Sequence, residues 1–527
     1  MPVHHETILT PANVESIDAF FSHWAPDAPG GIVALIERGQ VVHLRCRGLA
    51  NLEHGIAVAE DTRYPICSIT KTFTGAACAL LHHERRLDLD AEARRYVPEL
   101  TPQSPVTVRQ LLNMTSGLRD SIDAMVLRGI WYRYPEALPD VFDLAFAQTT
   151  QSFPPGSRYT YSNINFHLAA LIIERVTGMA YEEFLAEAFL QPLGMQDTLR
   201  RDSTTIPVPK LADGYATIPG GGWHKGIWSF GFSGAGSLVS TIGDLVRWHG
   251  MFRAGGIRNA PVIEMMAEAG VLTGGGCTQY GLGLSARPYR GVTVQAHGGG
   301  VPGYRTMFAR VPELDVGVII FASRDDTDLY ARLRDIVDIM LGAEQPQPAP
   351  PLADIGGRYL NHASGEPITV ACDAGAIRLD KMGVGLALRP AGDGTFVDTW
   401  ANFRSTLGVE ADRALWLDFG GETGRYERIG GTVAVSGDVT GLYHCADMRS
   451  DAEVFSRNGN LMLRFGLAFR REAEVALEPL APDMFFARYQ RPGANHQFAV
   501  RFQRHARGVA RMVVSTSLLK DTVFVRV

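Results

Sequence analysis

Lysine is nearly missing from this chain. Lys71, Lys210, Lys225, Lys381 and Lys520 are the only ones in 527 residues, arginine carrying the rest of the positive charge. A lysine at a chemically meaningful spacing is therefore harder to ascribe to chance. No Lys/Arg-rich run occurs and the formal net charge is −6, so nothing gives bulk attraction to nucleic acid or to an anionic membrane surface. Long apolar runs are also lacking: no stretch of 18 apolar residues is present, which argues against a spanning helix. Residues 1–26 show no basic segment followed by an apolar one, so neither a signal peptide nor an anchor is expected and the cytoplasm is the expected address. The six cysteines, Cys46, Cys67, Cys78, Cys277, Cys372 and Cys445, never approach C-x-x-C spacing; reduced thiols are expected, without a disulfide framework or zinc site. The pairs His4-His5 and His82-His83 have no third ligand at metal spacing. No metal and no cofactor is expected.

What the chain does have is length and apolar content. At 527 residues and 46% hydrophobic it exceeds one ordinary core and should form two or three domains. Alternation predicts a β-hairpin over Gly30 to Leu49, with Arg38-Gly39-Gln40 at the turn. Helical periods cover Phe73 to Glu84, Phe166 to Thr177, Tyr181 to Phe189, Asp244 to Phe252 and Leu329 to Leu341, and a short helix ended by Gly117 is expected within Val106 to Leu118. Val292 to Ala296 and Val316 to Phe321 read as strands, the second buried on both faces. Helices mixed with hairpin strands imply an α/β sandwich and not a doubly wound sheet.

Gln345-Pro346-Gln347-Pro348-Ala349-Pro350-Pro351 can neither continue a helix nor enter a sheet, and it is the clearest boundary in the chain. Beyond it, short β-rich runs broken by Gly, Asp and Asn replace helical periods. A faint duplication is present: Gly357-Arg358-Tyr359 recurs as Gly441-Leu442-Tyr443, and Tyr426-Glu427-Arg428-Ile429 as Phe524-Val525-Arg526-Val527. Each copy has the size of a small antiparallel barrel. The expected organisation is a catalytic domain over 1–344, a linker at 345–352, and β-barrels at 353–433 and 434–527.

Ser68-Ile69-Thr70-Lys71 precedes the first long helical run, so both functional side chains point from one helical face. A serine hydroxyl needs an adjacent base to become a nucleophile, and a lysine able to shed its proton can serve. The backbone N–H groups at a helix start suit a developing oxyanion. Alone, the tetrad reads more readily as an N-cap serine with a solvated lysine one turn later. Two further stretches give it company. Tyr161-Ser162-Asn163 sets a phenol and an amide on one turn before a helix, the phenol suited to proton relay and the amide to a substrate amide. His297-Gly298-Gly299-Gly300 follows a strand; its glycines admit a substrate backbone, the Gly300 N–H can pair with that of Ser68 as an oxyanion hole, and His297 is a polar partner for Tyr161 or substrate.

Ser-x-x-Lys, Tyr-x-Asn and His-x-Gly in this order resemble the three motifs of the serine penicillin-recognising family: class C β-lactamases, DD-peptidases and related esterases. His297-Gly298-Gly299 departs from the Lys-Thr-Gly of class C enzymes. With the Pro-rich boundary and two β units, it resembles the D-aminopeptidases of that family. The resemblance implies a serine β-lactamase-like α/β catalytic domain followed by two antiparallel β-barrels. It also implies Ser68 as nucleophile, Lys71 as proton donor and acceptor, Tyr161 in the proton relay, and Asn163, His297, Gly299 and Gly300 in substrate binding. A loop of the last barrel is implied to meet the substrate amine. By spacing from Tyr443 it falls near Phe469 to Glu474, with its acidic position on Ala473 between Glu472 and Glu474. The expected activity is hydrolysis of N-terminal D-residues from small peptides, amides or esters, with β-lactams as candidate inhibitors and a homodimer as the assembly. The alternatives are a D-amino acid amidase or β-lactamase-like esterase on the same chemistry and, outside enzymes, a penicillin-binding-like sensor.

Overall fold

Gly31–Glu37 and Val316–Ala322 are buried at every position and lie side by side, Ile32 opposite Phe321 and Leu35 opposite Val318. Around them the computed structural model builds a six-stranded antiparallel sheet in the order Ser285–Tyr289, Val292–Val301, Tyr304–Val311, Val316–Ala322, Gly31–Glu37, Gln40–Arg47. The structure describes residues 7–527 apart from 102–104, 130–140, 219, 229–230, 255, 258–260, 343–354, 374–375, 392, 399, 431–432, 434–436, 467–473, 492–493 and 506–507. The Pro-rich boundary lies outside the described residues.

The expected hairpin is present as Gly31–Glu37 and Gln40–Arg47. The long helices appear as Thr70–His83, Asn163–Thr177, Ile242–Arg253 and Leu329–Leu341. Two expected helices are shorter. The one after Val106 spans only Val108–Leu112, because Met114 takes a left-handed φ of 63° and ends it before Gly117. Tyr181–Leu185 passes at Ala186 into a wide π turn that runs to Leu190. The strand at Val292 is longer than expected and carries the glycine run to Val301.

Contacts divide the chain into two compact units that cut across its linear order. The first comprises Met1–Ala91, Phe166–Ala269 and Tyr280–Pro346, and the second Glu92–Asn165, Gly270–Gln279 and Gln347–Val527. In the first, every residue of Thr70–His83 up to Leu81 is buried, so the helix has no solvated face. Phe73 stacks on Trp248 of Ile242–Arg253 with ring centroids 3.8 Å apart, and the Trp248 indole N–H donates to Thr72 Oγ1 at 3.1 Å.

In the second unit, eight strands from Gly357–Leu360 to Glu422–Arg428 form a closed barrel, sealed where Tyr359 opposes Arg428. Its interior is filled by alternate residues, among them Ile368, Val370, Ile377, Leu379, Leu407, Leu415 and Leu417. Nine further strands between Gly441–Cys445 and Thr522–Arg526 form a second antiparallel sheet. Its two outermost strands, Glu474–Ala476 and Glu478–Ala481, are separated only by Leu477, which brings the sheet to near closure. The faint repeat in the sequence is a repeat in structure. The Tyr359 hydroxyl donates to Ile355 O at 2.9 Å and the Tyr443 hydroxyl to Val439 O at 2.6 Å, while Tyr443 opposes Arg526 as Tyr359 opposes Arg428.

Candidate active site

Ser68 sits in a 3-10 turn, Cys67–Ile69, that runs directly into Thr70–His83. The residue before it, Cys67, adopts a left-handed φ of 50°. For a side chain with a Cβ such backbone costs of order 1–3 kcal/mol and persists only where the surroundings enforce it. Here Thr306 Oγ1 donates to Ile66 O at 3.0 Å and the Ile66 N–H to Leu238 O at 2.9 Å. The Cys67 thiol is not a rival nucleophile: burial pushes it up to about 12.

Lys71 lies one turn on and is completely buried. Its Nζ is 3.2 Å from Ser68 Oγ and donates to Ala235 O at 2.7 Å, with the Phe166 ring centroid 5.6 Å away. These contacts set Nζ against a hydroxyl, a carbonyl and an aromatic face. Burial and a direct approach to the nucleophile are what a base for Ser68 requires.

The strand Val292–Val301 packs against this turn, and its glycines are what permit it. A Cβ on Gly299 would stand 2.6 Å from Ile66 O and 2.8 Å from Cys67 Cβ, and nearer still to Thr306 Oγ1. One on Gly298 would stand 2.8 Å from the Tyr330 ring, whose hydroxyl accepts the Gly298 N–H at 3.1 Å. Pairing with Ser285–Tyr289 stops at Ala296, opposite Ser285. Beyond that rung, residues 297–301 have no strand partner on that side among the described residues, and Gly300 is exposed. This is the geometry by which an extended substrate backbone can add to a sheet.

His297 is 3% exposed. Burial, reinforced by the Lys71 charge, pushes it down to about 3, so the ring is neutral near pH 7. Its Nδ1 lies 2.7 Å from Gly298 O, which can only accept, so the proton is on Nδ1. Nε2 then accepts from the Tyr280 hydroxyl at 2.8 Å. Tyr280 stands in no motif, and only the folded chain reveals it as the partner of His297.

Tyr161 and Asn163 belong to the second unit. The turn before them is pinned by backbone bonds from Tyr159 N–H to Gly420 O (2.9 Å) and from Thr160 N–H to Met114 O (3.0 Å). Asn163 opens Asn163–Thr177; its backbone N–H and its Nδ2 donate to Asp120 Oδ1 at 2.5 and 3.0 Å. Asp120 is completely buried, and desolvation together with the nearby Asp123 charge pushes its carboxyl up to about 6. An aspartate just before a short apolar run is a readable N-cap signal, but nothing in the sequence ties it to Asn163.

The structure therefore gathers Ser68, Lys71, His297, Gly299 and Gly300 in one unit and Tyr161, Asn163 and Glu474 in the other. Glu472 lies outside the described residues. The Glu474 carboxylate accepts from Arg457 Nη1 at 2.5 Å and Arg464 Nη1 at 3.2 Å. Those bonds engage both its oxygens within the barrel. Among the described residues no cluster of His, Cys, Asp and Glu could hold a metal ion.

Residues 17–339 match the Beta-lactamase family. The chain belongs to that family. A D-aminopeptidase of Cereibacter sphaeroides is 27% identical over 489 residues, 88% of each chain. A D-amino acid amidase from Ochrobactrum anthropi, solved with D-phenylalanine, is similar in structure with a TM-score of 0.52 and 25% identity, over 63% of this chain and 98% of that one. An octameric penicillin-binding protein homologue from Pyrococcus abyssi gives 0.56 at 25% identity, over 78% and 99%. The β-lactamase-like fold followed by two barrel-like sheets is thus the architecture of this chain.

Proposed function

We propose that this protein is a serine hydrolase acting as a D-stereospecific aminopeptidase, which removes an N-terminal D-residue or cleaves a D-amino acid amide or ester through an acyl-enzyme on Ser68. The observation that carries this is the buried Lys71 Nζ 3.2 Å from Ser68 Oγ, in a β-lactamase-family chain whose D-aminopeptidase relative aligns with 88% of it.

In this reading Ser68 Oγ bonds to the scissile carbonyl carbon as its proton passes to Lys71, and the resulting oxyanion is held by the Ser68 and Gly300 N–H groups. The tetrahedral intermediate collapses, the C–N bond breaks, and the leaving amine takes a proton through Tyr161 and Lys71. Water then attacks the ester, gives its proton back by the same route, and frees Ser68 with the D-acid. Asn163 and neutral His297 support the pocket walls, and Gly299 keeps the substrate edge close to the nucleophile. Glu472 is the proposed contact for the substrate ammonium.

Purified protein should release p-nitroaniline from D-Ala-p-nitroanilide and not from the L-enantiomer; equal rates would refute the stereochemical claim. A D-amino acid amidase or esterase on the same chemistry is favoured by one observation, the engagement of Glu474 by Arg457 and Arg464. Rapid turnover of nitrocefin or of N-acylated esters would promote that alternative. We further propose a homodimer, on family resemblance, and a cytoplasmic address, on the scattered cysteines; light scattering on the purified chain tests the assembly. No helix among the described residues is long and apolar enough to cross a membrane.

A further inference from the structure

Asn163 is held by one carboxylate, and that carboxylate is held by a helix the last barrel clamps. Asp120 uses Oδ1 for the two Asn163 donors and Oδ2 to cap Ser121–Leu127, accepting from Ile122 N–H at 2.7 Å and Asp123 N–H at 3.4 Å. Any shift of this helix therefore moves the acceptor of the Asn163 carboxamide. At seven residues the helix is too short to be stable alone, so its position must come from tertiary contacts.

Those contacts come from the C-terminal barrel, within the same compact unit. Asp123, 3% exposed, accepts a short hydrogen bond from Thr516 Oγ1, and its other oxygen lies 3.6 Å from His496 Nδ1. Thr516 is itself fixed: its Oγ1 accepts the Leu519 N–H at 3.0 Å and the Leu518 N–H at 3.3 Å. At the far end of the helix, Ser450 Oγ donates to Leu127 O at 2.6 Å. Just before Asp120, Arg119 Nη1 donates to Thr150 O at 2.7 Å and reaches Asp447 at 3.3 Å. Beyond the helix, Gly466 passes so close to Arg128 O that no Cβ fits there.

We propose that Thr516 and Asp123 are positioning residues, through which the C-terminal barrel fixes the helix Ser121–Leu127 and, by way of Asp120, the carboxamide of Asn163. This rests on the role of Asn163 in the substrate pocket proposed above. The barrel then contributes to turnover through a hydrogen-bonded chain of buried groups, independently of any loop that meets the substrate amine. The charges of Asp123 and Asp120 repel in this buried setting, and the Thr516 hydroxyl and His496 are the groups that hold the Asp123 carboxylate in place against that repulsion.

The test is a double-mutant cycle on the full chain. Thr516→Val keeps the shape and removes the hydroxyl, Thr516→Ser keeps the hydroxyl, and each is measured with and without Asn163→Ala. The expected result is a fall of about tenfold or more in kcat/KM for Thr516→Val, recovery in Thr516→Ser, and no further effect of Thr516→Val once Asn163 is Ala. If Thr516→Val keeps wild-type kcat/KM, or costs the same factor in the Asn163→Ala background, the proposal is overturned. Should Thr516→Val fail to fold, Asp123→Ala against Asp123→Asn reads the same link from the other side, since Asn retains the acceptor for Thr516. Both D-Ala-p-nitroanilide and p-nitrophenyl acetate are used. Turnover of the ester without the anilide would sink the substrate reading while leaving the cycle readable on the ester.

Discussion

Lys71 Nζ stands 3.2 Å from Ser68 Oγ with the lysine side chain wholly withdrawn from solvent. The pair is one turn apart, and the helix that carries Lys71 is buried from Thr70 to Leu81, which holds the lysine beside Ser68 in the turn before it. Ser68→Ala should abolish acyl-enzyme formation. Lys71→Arg keeps the charge and forfeits the base, because a guanidinium does not give up its proton. The expected loss is two to four decades in kcat, with disappearance of the rising limb of the pH–rate profile. A Lys71→Arg enzyme within tenfold of wild type would refute the role.

His297 makes a second, opposite prediction about pH. With its ring held down to about 3 by burial and by the Lys71 charge, it stays neutral and contributes no limb to the activity profile between pH 5 and 9. Nitrogen NMR of the labelled protein should show the Nδ1–H tautomer throughout that range. A His297 titration above pH 5 would contradict the assignment. Tyr280→Phe, which deletes the donor to Nε2, should lower kcat by about tenfold through loss of a hydrogen bond of about 1 kcal/mol or more.

Gly299→Ala separates activity from folding. The added methyl meets Ile66 O and Cys67 Cβ at 2.6 and 2.8 Å, the backbone and side chain of the turn that aims Ser68. Relief requires the strand or the turn to move by a good fraction of an ångström, enough to cost about 10²-fold in rate. Overpacking costs about 1–3 kcal/mol, which a chain of this size can tolerate. Circular dichroism unchanged with kcat/KM down by two decades is the expected pair of results; full activity would mean that the strand is not in register with the nucleophile as described.

The residues that were legible from sequence are those whose chemistry is local. Ser68 and Lys71 are three apart at the start of a helix, and a β-hairpin shows in alternation, so both could be read without the fold. The repeated Gly-x-Tyr and Tyr/Phe-x-Arg patterns foretold twin barrels because Tyr359 and Tyr443 do the same job in each. What could not be read is pairing across the chain. Asp120 meets Asn163 43 residues away, Tyr280 meets His297, and Thr516 meets Asp123 393 residues away; no periodicity encodes such partners. The glycine run was legible as following a strand, but not as part of it: Gly298 and Gly299 are strand residues whose missing side chains make room for Tyr330 and the Ser68 turn.

Amine recognition has a test that reads a ratio. Glu474, bound to Arg457 and Arg464, should leave the preference for D-Ala-p-nitroanilide over its N-acetyl form unchanged when replaced by Gln. Glu472→Gln should lower that preference by one to two decades, the worth of a charge-assisted bond of about 1.5–3 kcal/mol. No change in either variant would move amine recognition elsewhere in the pocket.

The last prediction concerns where two of the five lysines went. Lys381 Nζ lies 3.1 Å from Glu366 Oε2 and 2.9 Å from Glu422 Oε2, and Lys520 pairs with Glu366 Oε1, bridging the first barrel to the turn before Thr522–Arg526. Lys381 and Glu366 are each 1% exposed. Burial alone pushes the Glu422 carboxyl up, but Lys381, Lys520 and Arg158 outweigh it and hold the group at about 2 against an ordinary 4.5. A carboxyl depressed in the folded state adds stability that is fully present above its unfolded value and is lost as pH falls toward the folded one. The Glu422 contribution should therefore be constant from pH 7 to 5 and decline between 4.5 and 2. Glu422→Gln should lower the urea midpoint at pH 7, and the gap to wild type should narrow steadily as pH is brought from 4.5 to 3. Glu366→Gln removes the shared partner of two buried ammonium groups and should cost more, about 3–5 kcal/mol. A gap for Glu422→Gln that stays the same size at pH 3 as at pH 7 would show that its packing, and not its charge, is what the barrel uses.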